Sequence, residues 1–367
     1  MLLGVLDIGS NSAQLQVFEA RPGAPPLPTH AVKEPTLLGE AFGPDGTIEP
    51  AGVDRVVEAV NHAMSAARRL GVQQLYVFTT SAVRDAANRD LILDRVEAEA
   101  GVRPQYLSGE DEARLTYLAV HQWYGWSAGR LLILDIGGGS MEIVLGRDAE
   151  PELAVSLPLG AGRLTRLFLP DDPPSRDQLA ALRRHVNATL REVADRLLWE
   201  GVPDRAIGTS KTFKQLARLA GAPAQRKGPF VRRTVTARDL EGWIPRLTTL
   251  RTRERAKLRG VSRSRSRQIV AGAVVARAGM KALNVDSVDV SPWALREGII
   301  LHYLHTTFNQ SFDLPLRPLT GSTYGKAGPG PAAGRHVALV ATSSGRVPGV
   351  VPPATREAAP VLPAARG

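Results

Sequence analysis

The sequence predicts an α/β fold built from a duplicated domain, and three features of the 367-residue chain carry that expectation. The first is the stretch 131–142, LLILDIGGGSME, an apolar run followed by three glycines that rule against helix and mark a tight turn. The second is 4–12, GVLDIGSNS, which repeats the pattern 128 residues earlier. The third lies downstream of each turn. A second apolar stretch (15–18 and 143–145) leads to a third (36–39 and 157–160), as expected of two copies of one unit.

Each turn carries chemistry as well as shape. Asp135 ends a buried strand, where an uncompensated carboxylate would be costly. Gly137, Gly138 and Gly139 bare backbone N–H groups, and Ser140 adds a hydroxyl. Such a turn forms a nest suited to phosphate beside a carboxylate suited to a divalent cation. Alone, it is equally compatible with an ordinary glycine-rich hairpin. Asp7 followed by Ser10, Asn11 and Ser12 repeats the arrangement and favours the functional reading of both.

In chain order, apolar residues from Val53 to Ala67 at helical spacing predict a helix closed by Gly71. Residues 75–80 (LYVFTT) read as a buried strand, with Arg84 just beyond it as a surface residue or a phosphate clamp. A helix over 88–100 and a strand over 103–107 come next. SGEDE at 108–112 opens the following helix, with Ser108 as N-cap, Asp111 completing a capping box and Glu110 favouring the positive end. Glu112 is left without a capping duty. Its carboxylate is expected to be ionised at neutral pH, as a general base must be, against the bland alternative of a solvated first-turn glutamate.

The second half predicts a long helix over 173–199 beginning near Ser175, a strand over 205–208, and a helix ending near Leu219. The GTSKT turn between the last two (Gly208, Thr209, Ser210, Lys211) resembles a phosphate loop but lacks the G-x-x-x-x-G-K-[ST] spacing. Residues 251–267 hold eight Lys or Arg in seventeen positions. They read as a solvated basic face or loop, ahead of an RNA-binding arginine-serine tract, since no aromatics interleave to stack bases. A polyanion-tracking surface is the third option. A helix over 269–283, a strand over 286–290 and a helix to about Thr307 complete the pattern, with His302 and His305 on a helix surface rather than in a metal site.

Length and composition allow two domains, expected at 1–120 and 121–310, with 43% apolar and 22% charged residues typical of a globular protein. Residues 311–367, with nine of the 27 prolines and eight glycines, predict a disordered tail without enzymatic role. The absence of cysteine, the lack of a membrane-length apolar run and Asp7 in the N-terminal segment together predict a cytoplasmic location. The net charge of +10, of which the tail supplies +4, predicts an acidic partner.

Six ordered stretches, DIGSNS (7–12), TSAVRDA (80–86), LSGEDEARL (107–115), DIGGGSMEIVLG (135–146), GTSKT (208–212) and SPWALREG (291–298), resemble the exopolyphosphatase and guanosine-pentaphosphatase family. Their closest likeness is to its short, two-domain members. The resemblance implies a duplicated actin-like ATPase (ribonuclease H-like) fold with an interdomain cleft. It implies a magnesium or manganese ion held by Asp135 and Glu142 with Asp7 nearby, Glu112 as the base activating water, and Arg84 on the terminal phosphates. Ser10, Asn11, Ser12, Gly137, Gly138, Gly139 and Ser140 would face phosphate, with Gly208, Thr209, Ser210 and Lys211 lining the cleft. Its implied substrates are inorganic polyphosphate or guanosine pentaphosphate. It calls for neither a membrane nor a specific nucleic acid, and leaves room for a homodimer. Met141 stands where the family usually has threonine.

Overall fold

The computed structural model describes residues 1–307 apart from Pro22 and Pro44, so the expected tail lies outside the described residues. Two mixed sheets of matching topology organise the chain. The first starts as an antiparallel meander, β1 (Leu2–Ile8), β2 (Ser12–Glu19) and β3 (Pro28–Pro35). Helix α1 (Pro50–Arg69) then carries the chain to β4 (Gln74–Thr79), parallel to β1. The short α2 (Ser81–Arg84) and α3 (Arg89–Ala100) lead to β5 (Gln105–Tyr106), parallel to β4, giving the order β3-β2-β1-β4-β5.

After α4 (Gly109–Tyr124) the plan repeats. A second meander, β6 (Leu131–Ile136), β7 (Met141–Gly146) and β8 (Leu153–Leu157), is followed by α5 (Ala161–Phe168) and α6 (Arg176–Trp199). Strand β9 (Arg205–Thr209) lies parallel to β6. Helix α7 (Ser210–Leu219), β10 (Thr234–Thr236), α8 (Ala237–Thr249), α9 (Thr252–Arg255) and α10 (Ile269–Ala282) precede β11 (Ser287–Val290), parallel to β9. The chain continues into α11 (Leu295–Thr307), and the second sheet runs β10-β11-β9-β6-β7-β8. This is the duplicated actin-like architecture.

Burial on both faces explains why the central strands read as continuous apolar runs. One face of the first sheet packs Leu6, Ile8 and Leu15 against Val53, Val57 and Val60 of α1 and Ile92 of α3. The other meets Ile300 and Tyr303 of α11, which lie against Leu3, Val5 and Phe78. On the second sheet, Leu134, Ile136 and Ile143 pack with Leu164 of α5, Val186 of α6 and Val274 of α10. Its far face takes Ala113, Tyr117 and Val120 of α4 against Leu131, Val144 and Ile207. Thus α4, which comes after the first sheet in sequence, covers the second, and α11 returns to cover the first.

Three local expectations change. Ser108 accepts from the Asp111 N–H at 3.0 Å, but Asp111 accepts in return from the Ser108 hydroxyl at 2.6 Å, not from its backbone, so only half of a capping box forms. The basic run is not uniformly solvated. Arg263 and Arg267 are exposed, whereas Arg255 is fully buried against Asp172 and Arg265 turns toward the centre of the molecule. Strand β10 escapes the periodicity reading because it is only three residues long, and α8 because Gly242 and Pro245 stand inside it. Among the described residues no helix is long and apolar enough to cross a membrane.

Candidate functional site

The two glycine- and serine-rich turns converge on one cavity of about 220 Å3 at the ends of β1 and β6. Each turn is closed by its own hydrogen bond, Gly9 N–H to Ser12 O at 3.1 Å and Gly137 N–H to Ser140 O at 2.9 Å. Their tips touch. A methyl group on Gly138 would overlap the Ser10 hydroxyl, and one on Gly160 would overlap the backbone of Gly139 and Ser140. Only a residue without Cβ permits so close an approach.

Strand register sets the acidic wall. Asp135 lies directly opposite Glu142 across the β6–β7 hairpin, whereas Asp7 in the first copy lies opposite Gln14. Directly opposed residues share a face of the sheet. The duplicated site is therefore doubly acidic on one side only. Asp135 accepts from the Thr209 hydroxyl at 2.6 Å, and Glu142 from the Ser156 hydroxyl at 2.8 Å. Asp7 has its Oδ1 buried without a partner, and Arg296 stands 3.9 Å from its Oδ2. Glu112, on the first turn of α4, is buried and faces the same cavity as Thr116, one turn later.

These four carboxyls sit too close together, in too little water, to ionise freely. Burial raises Asp7, Asp135 and Glu142, with Glu142 pushed up to about 7 by burial and then by Asp135. Glu112 is raised well above the usual carboxylate range by burial and then Glu142, with Arg84 pulling the other way. Burial therefore works against the expectation that a first-turn glutamate is simply ionised.

Four cations, Lys33, Lys211, Arg265 and Arg296, line the same cavity, with Arg296 beside Asp7 and Arg265 within electrostatic reach of Asp7 and Asp135. Lys211 is lowered by burial and then by Lys33 and Arg265, so these cations crowd one another. Arg265 has its Nη1 buried without a partner. Ser210 holds a left-handed backbone (φ 66°) at the lip of the cavity, with its hydroxyl donating to Ile136 O at 2.9 Å. Such strain in a non-glycine residue collects at ligand-facing positions.

Of the residues singled out from sequence, Asp7, Ser10, Asn11, Ser12, Glu112, Asp135, Gly137, Gly138, Ser140, Glu142, Ser210 and Lys211 line this cavity. Four do not. Gly139 faces a neighbouring cavity, Gly208 packs against Phe213, and Thr209 is fully buried holding Asp135. Arg84 is committed elsewhere, donating to Glu112 at 2.7 Å, to Leu107 O at 2.9 Å and to Asp85 at 3.0 Å. It orients Glu112 instead of reaching into the cavity. Sequence reasoning missed Lys33, Arg265 and Arg296. The last was in view within SPWALREG, but nothing local distinguished it from a surface arginine.

A family model of the Ppx/GppA phosphatase family matches residues 17–307. The chain belongs to the Ppx/GppA phosphatase family. It is 51% identical over 304 residues to "Exopolyphosphatase 1" of Mycobacterium tuberculosis, covering 83% of this chain and 88% of that one. The Mycobacterium leprae protein of the same name is 48% identical over 304 residues. Among solved structures, an exopolyphosphatase from Cytophaga hutchinsonii superposes with a TM-score of 0.75 at 24% identity, over 83% of this chain and 98% of that one. A family member from Aquifex aeolicus gives 0.69 at 24% identity, over 85% and 99%. At that identity these two speak for the fold alone.

The residues of this Ppx/GppA chain suit a hard divalent cation. Their donors are all oxygens, the carboxyls are crowded enough to hold protons, and Asp7 Oδ1 lacks a partner. Among the described residues no group of three or more His, Cys, Asp or Glu is placed to hold a metal ion together. Magnesium does not need one, since it commonly takes one or two carboxylates together with waters and substrate phosphates.

Proposed function

We propose that this protein is an exopolyphosphatase that hydrolyses the terminal phosphoanhydride of inorganic polyphosphate and releases orthophosphate. The observation that carries the reading is Glu112, a buried carboxyl held by Arg84 and facing two phosphate-type turns across one cavity. The mycobacterial relatives named exopolyphosphatase, half identical over most of both chains, support the same substrate class.

Phosphoanhydride cleavage needs a positioned terminal phosphoryl group, an in-line water and neutralised charge. The two turns cradle the terminal phosphates, while Lys33, Lys211, Arg265 and Arg296 take the charge of the chain behind them. Asp135 and Glu142, with Asp7 nearby, would hold a magnesium or manganese ion, which when bound supplies further charge neutralisation at the phosphoryl oxygens. Glu112 takes the proton of the attacking water, and Arg84 aims its carboxylate and opposes the burial that favours the neutral acid.

A second reading, hydrolysis of guanosine pentaphosphate, draws on an aromatic shelf. Trp123 lies three helical turns beyond Glu112 on α4, about 16 Å along the axis. It stacks on the exposed Phe230 at 5.3 Å and meets Trp293 edge-on at 5.0 Å, next to the cavity residues Ala294 and Arg296. A base could stack there. Phosphate release should be measured side by side from polyphosphates of several lengths and from guanosine pentaphosphate. We expect magnesium-dependent release from polyphosphate, abolished in Glu112→Gln. Turnover of the nucleotide alone would replace the first reading with the second. Polyphosphate binding without release would make the protein a regulator.

A further inference from the structure

A second cavity of about 220 Å3 adjoins the catalytic one. Ser10 and Gly138, the touching turn tips, line both, so they form the partition between them. The second cavity is also lined by Asp85 of the loop after α2, by Phe42, and by Arg163 and Arg166 of α5. Arg163 is paired to Asp85. Arg166 lies over the Phe42 ring at 4.1 Å and has no carboxylate partner among the described residues. Two guanidiniums against one carboxylate leave this small cavity cationic.

Asp85 is shared. It accepts from Arg163 on this side and from Arg84 Nε at 3.0 Å, while Arg84 Nη1 holds Glu112 at 2.7 Å. A chain of ion pairs, Glu112–Arg84–Asp85–Arg163, thus runs from the catalytic cavity to its neighbour. Nothing in the catalytic chemistry uses Arg163 or Arg166.

We propose that Arg163 and Arg166 form a second anion site that binds inorganic orthophosphate, and that its occupancy slows catalysis through Asp85 and Arg84. A guanidinium presents paired donors that match two oxygens of a tetrahedral anion, and a half-buried cation without a countercharge gains most from such a ligand. When Arg163 turns to the anion, Asp85 is left to Arg84 alone. It then competes with Glu112 for that guanidinium and loosens the aim of the base. That the anion is also the reaction product rests on the function proposed above; the binding site itself does not.

Orthophosphate titration of the full-length protein, followed by calorimetry, tests the site. Two binding events are expected in the wild-type chain and one in Arg166→Gln, since losing a charge-assisted contact weakens binding about tenfold or more. In steady-state assays orthophosphate should both raise KM and lower kcat for polyphosphate. Arg166→Gln should keep the effect on KM, lose that on kcat, and retain phosphate-free turnover. Asp85→Asn should keep both binding events and lose the effect on kcat. Equal stoichiometry in wild type and Arg166→Gln would overturn the site, and a kcat effect surviving in Asp85→Asn would overturn the coupling. Should Arg166→Gln fail to fold by circular dichroism, Arg166→Lys keeps the charge, loses the fork and is read the same way. A wild-type chain inert toward polyphosphate would defeat the proposed function while leaving the titration to judge the site.

Discussion

As the proposed base, Glu112 has to be an anion to take a proton, yet burial and Glu142 hold it toward the neutral acid. Arg84 is the cation that opposes them, so its removal should raise the Glu112 pKa further. The acid limb of kcat/KM against pH should then move to higher pH in Arg84→Met, by about one unit or more. An unmoved limb would remove Arg84 from that role. Glu142 allows a matching test on stability. Its folded value of about 7 lies above the ordinary 4.5, so the fold favours the protonated form. Its stabilising contribution is complete below pH 4.5 and is lost as pH rises through about 7. In thermal denaturation without divalent cations, the wild-type protein should lose more stability between pH 5 and pH 8 than Glu142→Gln, and added magnesium should reduce the loss. Parallel curves for the two proteins would contradict this. The carboxylates were legible in the sequence because Asp7 and Asp135 each end an apolar run at a turn, where a charge is out of place. Arg265 was not legible. Seven other basic residues surround it in the same stretch, and only the tertiary packing turns it inward while Arg263 and Arg267 stay exposed.

The decisive element is α4, because one helix carries Glu112 into the cavity and packs its other residues on the second sheet. Its position depends on α11, whose Gly298 faces the main-chain oxygen of Leu115. A Cβ at 298 would overlap that oxygen, and a backbone atom cannot rotate away. Gly298→Ala should therefore cost about 1–3 kcal/mol in urea denaturation, and should lower kcat more than it raises KM, because Glu112, the proposed base, is displaced and the two turns are not. Gly242 in α8 supplies the contrast, with nothing within 4 Å of a Cβ. Gly242→Ala should stabilise by up to about 1 kcal/mol without changing turnover, since only the helix propensity changes. Equal effects of the two substitutions would refute the packing argument. Most elements could be placed from periodicity because their central strands and amphipathic helices are long. The cover of each sheet by the helix of the other half could not, since Ile300 and Tyr303 carry no mark in sequence of which sheet they will meet.

At the scale of the whole molecule, the charge of +10 is not spread evenly around the reaction centre. Glu112, Asp135 and Glu142 line the cavity together with Lys33, Lys211, Arg265 and Arg296, so cations are concentrated where the carboxyls are. A second basic hollow, between Arg251, Arg253, Lys257 and Arg263, lies on the outer side of the segment that also supplies Ser264 and Arg265 to the cavity. If a bound chain extends from the cavity to this hollow, a long polyanion meets cations that tripolyphosphate, with three phosphates, does not reach. Each phosphate neutralised releases counterions, so affinity falls with salt in proportion to the number of contacts. KM for long-chain polyphosphate should rise more steeply with sodium chloride than KM for tripolyphosphate. Meanwhile kcat should stay nearly constant, because the buried groups around Glu112 are screened far less than surface ones. Charge reversal in the outer hollow, Arg251→Glu with Lys257→Glu, should bring the long-chain slope down to that of tripolyphosphate. Identical slopes in the unmodified protein would mean that recognition ends at the cavity and that the outer charges serve solubility only.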